Sequence, residues 1–158
     1  MSVESVKQDL KKFGLDERVR EFEVSSATVE LAAVALGTEG ARIAKSITLY
    51  DKESKCLMII AAGDVKIDNA KFKTQFGFKA RMMSPDDALA TTGHAVGGIC
   101  PFALPDGVSV YLDTSLKRFD IIYPAAGSAS SAVELSCDEL TVASRAIGWI
   151  DVCKPREN

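Results

Sequence analysis

Three glycines in one apolar loop are the first sign of chemistry in this sequence. Gly93, Gly97 and Gly98 fall within the run Gly93-His94-Ala95-Val96-Gly97-Gly98-Ile99-Cys100-Pro101-Phe102-Ala103-Leu104-Pro105, between an expected helix and an expected strand. Glycine tolerates positive φ and lets a ligand approach the backbone. Pro101 and Pro105 stiffen the far end. Such a loop can turn several N–H groups toward one point, the arrangement that holds phosphates, carboxylates and oxyanions. The same composition also suits a buried, tightly turned connection with no ligand.

Cys100 and His94 share that loop and could form a thiol nucleophile with its base. A packed cysteine beside a hydrogen-bonded histidine is the favoured alternative, because no third residue is marked to orient the pair. The sequence contains no G-x-x-x-x-G-K-[ST] phosphate loop, no G-x-G-x-x-G after a strand and no G-x-S-x-G nucleophile elbow. The groups that remain are Lys45, the glycine-rich loop and the Gly127-Ser128 segment. Lys45 alternates with Ile47 and Leu49 on one strand face, so it either snorkels at the strand end or holds its ammonium in a pocket for an anion. Spacing alone favours snorkelling.

The elements that must position these groups read as follows. Val6, Leu10 and Phe13 lie at helical spacing, ended by Gly14, with Lys7, Lys11 and Lys12 on a solvated face. A short strand is expected over 19–24. Ser25 or Ser26 caps a helix over 29–36, stopped by Gly37. Strands follow over 44–50 and 56–62, separated by a turn at 51–54. The second is apolar throughout, as a strand covered on both faces should be. Asp68 caps a helix running to Phe76, and a strand is expected over 78–83. Ser84-Pro85-Asp86-Asp87 opens a short helix ending near Thr91. Strands over 108–113 and 119–124 are expected to pair as a hairpin around 114–118. A strand over 132–135, a helix over 138–146 capped by Ser136 and stopped near Gly148, and a strand over 149–152 complete the chain. The tail over 154–158 is expected to be loose.

This pattern implies one α/β domain over 1–158, with a curved, barrel-like, mostly antiparallel sheet and helices packed outside. The length, 158 residues, suits a single core, and 47% apolar with 26% charged residues is ordinary for a globular chain. No apolar run is long enough to span a bilayer, and the charged N-terminal stretch lacks a signal-peptide core, which points to a cytoplasmic protein. The four cysteines show no paired spacing and there is one histidine, so neither a structural zinc nor another metal is expected. The net charge of -3 argues against gripping long nucleic acid, DNA included, although a short nucleic-acid end needs only a few local cations.

Four landmarks in order resemble the YbaK/prolyl-tRNA-synthetase editing-domain family of free-standing aminoacyl-tRNA deacylases. They are Ala44-Lys45-Ser46-Ile47 after Leu36-Gly37, the run from Thr92-Gly93 to Pro101-Phe102, Val110-Tyr111-Leu112-Asp113, and Pro124-Ala125-Ala126-Gly127. The resemblance covers nearly the whole chain. It implies a single mixed α/β domain and hydrolysis, in trans, of the ester joining a wrong small amino acid to tRNA, such as alanine or cysteine on proline tRNA. It implies no metal or organic cofactor. The family lysine falls on Lys45, the G-x-x-x-P loop on Gly97, Gly98, Ile99, Cys100 and Pro101, and the glycine after the penultimate strand on Gly127.

On that basis Lys45 is expected to bind the terminal adenosine's phosphate or ribose. The N–H groups of Gly97, Gly98, Ile99 and Cys100 would stabilise the forming oxyanion. Water, oriented by the free ribose hydroxyl, would be the nucleophile. Thr28, Leu31, Ser46 and His94 are candidates for the amino-acid pocket, and Pro101, Asp113, Gly127 and Ser128 for further substrate contacts. Ala103 stands where the family often has glycine, Ser46 where some deacylases carry asparagine, and 128–131 lacks a histidine found in some editing domains, so the resemblance does not carry the amino-acid specificity. Two other readings of the same residues are a non-catalytic module binding a tRNA end or a synthetase, and a broader esterase, for which only His94 could serve as base. Prolyl-tRNA synthetase or another synthetase is a possible partner for a chain whose own grip on tRNA should be salt-sensitive.

Overall fold

The computed structural model describes residues 3–25 and 28–156. Strand β3 (Cys56–Ala62), buried at every residue, is the centre of a five-stranded sheet. On one side it pairs antiparallel with β2 (Ile43–Tyr50), which pairs parallel with the two-residue β6 (Tyr123–Pro124). On the other side it pairs parallel with β5 (Ser109–Asp113), which pairs parallel with β8 (Gly148–Ile150). Two antiparallel ribbons flank this sheet: β1 (Val19–Glu21) with β7 (Ser131–Val133), and β4 (Val65–Ile67) with β9 (Cys153–Pro155).

The helices form where their end signals are strongest. They are α1 (Val3–Lys11), α2 (Val29–Leu36), α3 (Asn69–Phe76), α4 (Pro85–Thr92) and α5 (Cys137–Ala143). Asp68 caps α3, Ser84 caps α4, and Ser136 with Glu139 forms a reciprocal capping box on α5. Glycines in the left-handed conformation close α2, α3 and α4 at Gly37, Gly77 and Gly93. The cap of α2 is Thr28; Ser25 instead donates to the Ala129 carbonyl, and Ser26 lies outside the described residues.

Several expectations give way to longer-range contacts. The stretch 78–83 runs beside β2 but makes only the Leu49–Met82 bridge, because Phe78 turns away to stack on Phe72 and Phe76. No hairpin joins 108–113 to 119–124: Asp113 caps a 3-10 turn, Thr114–Arg118, which carries the chain over the sheet to pair with β2. Helix α5 stops at Ala143, short of the expected 146, since Arg145 takes a positive φ of 55°. Gly148 then starts a strand. The tail expected to be loose forms β9, paired Val65 to Pro155 and Ile67 to Cys153. The sheet itself is mixed: among the paired strands the antiparallel sense holds for the β2–β3 hairpin and the two ribbons, and the other pairs of the five-stranded sheet are parallel.

The glycine-rich loop is tied to α1 through Asp9. Its carboxylate accepts two hydrogen bonds from the Arg145 guanidinium, at 2.8 and 3.0 Å, and one from the Ala103 N–H at 2.9 Å. Ala103 has a φ of 53°, so this position uses the left-handed backbone that glycine would adopt without strain, and Asp9 holds it there. Burial works against ionisation of Asp9, yet the Arg145 hydrogen bond, the Ala103 N–H and the charges of Arg145 and Lys12 outweigh it and hold the carboxyl below its usual range. A carboxyl depressed in the folded state adds stability above its unfolded pKa and loses it as pH falls through the folded one. Asp9→Asn should therefore cost about 2–3 kcal/mol at neutral pH, below the value for a fully buried pair because Arg145 is half exposed. Urea midpoints measured from pH 7 to pH 3 should show that deficit shrinking below about pH 4. A deficit constant over the whole range would assign it to packing instead.

Candidate active site

The site begins as a gap in the sheet. Strand β6 covers β2 only at Ile43 and Ala44, and the next contact on that edge is the Leu49–Met82 bridge. Around Lys45 and Ser46 the edge has no strand neighbour among the described residues. The first turn of α2, the glycine-rich loop and the segment after β6 close over this gap and leave a cavity of about 240 Å³. Its walls include Thr28, Ala32, Lys45, Ser46, Gly97 and Ile99, with Tyr123 and Ala125 beyond them.

Lys45 does not snorkel. Its side chain is half-buried, and its ammonium donates to the carbonyl of Val65 in β4, at the cavity. The reason is positional: β4, which the sequence pattern does not announce, supplies an acceptor within reach. Burial, and then the nearby Arg156 charge, push the Lys45 pKa below its usual value.

The loop is shaped by its glycines. Gly97 has a φ of 96°, and the N–H of Gly98 donates to the Ala95 carbonyl at 2.9 Å to close a turn. The Gly98 N–H is thus spent inside the loop, contrary to the expectation that all four of 97–100 face substrate. Gly97 and Ile99 both line the cavity, and their N–H groups have no acceptor among the described residues. Gly98 also packs against the backbone of Gly127 and Ser128: a Cβ there would lie 2.8 Å from the Ser128 Cα and N. Ser128 is held by the Ser131 hydroxyl, at 3.0 Å between their oxygens, and Ser131 lines the cavity. The two loops are therefore in contact, and Gly127 and Ser128 support the site from behind.

Cys100 and His94 form the interior of the loop. The thiol is fully buried, 3.6 Å from the His94 Nε2, and burial pushes its pKa up to about 12. His94 is also fully buried, its Nε2 lies 2.8 Å from the Phe102 carbonyl, and burial lowers its pKa. A protonated thiol beside a neutral imidazole, both away from the cavity, is a packed pair and not a nucleophile with its base.

The other candidates fall into two groups. Thr28 is at the cavity, but its hydroxyl accepts the Leu31 N–H as the α2 cap, at 3.1 Å. Leu31 faces outward on α2, and Pro101 is buried behind the loop. Asp113 is buried under the sheet, accepting from the N–H groups of Ser115 and Val152 at 2.9 Å each, so it fixes a chain crossing and does not reach the cavity. Among the described residues no three His, Cys, Asp or Glu side chains group as metal ligands, and no helix is long and apolar enough to cross a membrane. Ser131 falls in the small, polar segment 125–131 that the sequence offers as a second pocket wall, whereas the Val65 carbonyl, which holds Lys45, and Tyr123, which lines the cavity, carried no sequence signal because each is placed by a pairing distant in sequence.

Ser46 is the anomaly of the wall. Its hydroxyl is buried with no hydrogen-bond partner among the described residues. An unpaired buried hydroxyl costs about 1–3 kcal/mol, so Ser46→Ala should raise the stability of the free protein by about 1 kcal/mol in a urea titration. A loss of stability would mean that the hydroxyl is satisfied.

Comparison with known proteins gives four findings. A family model described as the aminoacyl-tRNA editing domain matches residues 23–142. The uncharacterized protein YwhH of Bacillus subtilis (strain 168) is 50% identical over 157 residues, which is 99% of this chain and 100% of that protein. Among solved structures, hypothetical protein APE2540 aligns with a TM-score of 0.85 at 27% identity over 95% of this chain and 99% of its own. A candidate trans-editing enzyme for prolyl tRNA synthetase aligns with a TM-score of 0.86 at 24% identity, covering 96% of each chain.

Proposed function

The chain belongs to the aminoacyl-tRNA editing domain family, and from that premise we propose that it is a trans-acting deacylase, working in the cytoplasm, that hydrolyses the ester of a tRNA mischarged with a small amino acid. Alanine or cysteine on proline tRNA is the leading candidate. The observation that carries this reading is the cavity at the β2 edge, lined by Lys45 and by Gly97 and Ile99, whose N–H groups are unengaged among the described residues.

Each part has a role in ester hydrolysis. Lys45, a compact cation poor in water, would hold the ribose or phosphate of the terminal adenosine in exchange for its Val65 contact. The N–H groups of Gly97 and Ile99 would bind the ester carbonyl and gain strength as negative charge forms on its oxygen. The attacking group would be water, oriented by the free ribose hydroxyl of the substrate. The buried Cys100–His94 pair supports this reading, because it removes the one side-chain nucleophile in the loop.

The cavity also bears on selectivity. At about 240 Å³ it lies below the range of about 300–1,000 Å³ that encloses drug-sized ligands. It would take an aminoacyl group and leave the nucleoside outside. Larger side chains would be rejected by the walls at Ala32, Ser46 and Tyr123, whereas single methyl groups would be told apart only weakly. A synthetase partner, suggested by the structural neighbour associated with prolyl tRNA synthetase, would offset the weak tRNA affinity of a chain of net charge -3.

The test is a deacylation panel with tRNA carrying alanine, cysteine, serine, threonine or proline. Hydrolysis of one or two mischarged species and sparing of the correct one is the expected result. Binding of tRNA without hydrolysis of any species would overturn catalysis and leave a binding module.

A further inference from the structure

The geometry points to a second subsite beside the cavity, in which Arg156 takes a backbone phosphate of the RNA 3′ end. This rests on the proposed handling of aminoacyl-tRNA and goes beyond it by naming a residue outside the landmarks of the sequence.

The placement follows from the β4–β9 ribbon. The Lys45 ammonium sits on the Val65 carbonyl, Val65 pairs with Pro155, and Arg156 follows, its N–H donating to the Asp64 carbonyl at 2.9 Å. Two cations thus converge on the short turn between β3 and β4. Arg156 borders a groove of about 430 Å³ lined by Glu30, Gly40, Gly63 and Asp64, and Val29 is a wall of both this groove and the cavity. The groove therefore adjoins the cavity at Val29, on the side where the nucleotide preceding an aminoacyl group beside Lys45 would lie.

The groove is suited to a phosphodiester. The Arg156 guanidinium is held loosely, 3.4 Å from the Gly63 carbonyl and 4.0 Å from Glu30, and its side chain is 46% exposed. Of the two acids, Asp64 is occupied by Arg118 through bonds of 2.6 and 3.0 Å. Glu30 remains, 73% exposed, and can swing away. The floor is closely packed: a Cβ on Gly63 would lie 2.1 Å from the Gly40 carbonyl oxygen and 2.8 Å from Val29 Cγ1, so neither glycine position has room for a side chain. Arg156 also helps lower the Lys45 pKa, after burial, which is consistent with two cations sharing one anionic ligand.

The test compares wild type with Arg156→Gln and Arg156→Lys in three assays. Binding of uncharged tRNA is read by fluorescence anisotropy across a salt series. Deacylation is read with the mischarged tRNA and with a 3′-aminoacyl adenosine, which has no phosphate. Arg156→Gln should weaken tRNA binding and raise KM by about tenfold, as loss of one charge-assisted hydrogen bond does. It should lower the slope of log K against log salt by about 0.7, leave kcat unchanged and leave the adenosine substrate unaffected. Arg156→Lys should recover most of the loss. Equal loss on both substrates, or unchanged binding and slope, would overturn the subsite. Competition by inorganic phosphate in wild type, with no change in the tRNA slope, would assign the site to a free anion and also overturn it. The anisotropy assay decides the question even if no ester is hydrolysed, so failure of the subsite and failure of the deacylase reading remain distinct.

Discussion

Gly98→Ala should lower kcat/KM for the mischarged tRNA by about 100-fold or more while leaving the protein folded. Nothing in the substrate is needed to argue it. The added Cβ would lie 2.8 Å from both the Cα and the N of Ser128, and 2.9 Å from the Gly127 carbonyl carbon. Those are backbone atoms, and no rotamer change relieves the clash. The two loops must separate, and the N–H groups of Gly97 and Ile99 would move with them. Losing one aligned oxyanion donor costs about 10²–10³ in rate. The stability cost of the forced shift should be about 1–3 kcal/mol, as for other overpacked sites. Gly107→Ala is the control. Its Cβ meets nothing within 4 Å, but its φ of 96° makes any side chain strained. It should lose about 1–2 kcal/mol of stability with kcat/KM unchanged. If Gly98→Ala loses stability alone and keeps its kcat/KM, the contact between the loops is structural and the oxyanion role of 97–99 fails.

Local signals made most of the fold legible. The extents of the helices over 29–36 and 69–76 were readable, because a run of fitting residues and a terminal glycine lie within one short window; Asp68 was legible as the cap of the second, whereas the cap of the first is Thr28 and not Ser25 or Ser26. Strand β3 was legible from its unbroken apolar run. What escaped notice depends on partners distant in sequence. Strands β4 and β9 have three residues each, too few for alternation to register, and they form only because each provides the other's edge. The site divides in the same way. Lys45 and the glycines were legible as residue types with a purpose. The inward turn of Lys45 was not, since it depends on the Val65 carbonyl. Arg156 was hidden for the same reason: Lys154-Pro155-Arg156 reads as a solvated tail until the ribbon pairs it to 65–67. His94 and Asp113 misled in the opposite sense, because a polar residue in a landmark motif can be there to bind backbone, as both are.

Lys45→Ala should reduce kcat/KM by about 100-fold or more, in keeping with about 2–5 kcal/mol for removing one member of a desolvated charge contact. Lys45→Arg should not restore it, because a planar guanidinium needs a wider space than a cavity of about 240 Å³ offers around an ammonium. The loss should not be a folding defect. The Lys45 pKa is lowered by burial and then by Arg156, so the charged form is disfavoured in the folded state. A lysine depressed in this way opposes folding while it is charged, and stability rises as pH climbs through its folded pKa. Alanine removes that penalty, although it leaves the Val65 carbonyl without its ammonium donor. The urea midpoint at neutral pH should therefore stay within about 1 kcal/mol of wild type. The same shift sets a pH signature. If the ammonium is the working form, catalysed hydrolysis divided by the spontaneous rate should fall as pH rises through the Lys45 pKa, at a pH below the usual lysine value of 10.5. The ratio is required because aminoacyl esters hydrolyse faster in base on their own. The residual activity of Lys45→Ala should show no such limb. A wild-type ratio that is flat with pH, together with undiminished activity in Lys45→Ala, would remove the lysine from the chemistry and leave the loop N–H groups to act alone.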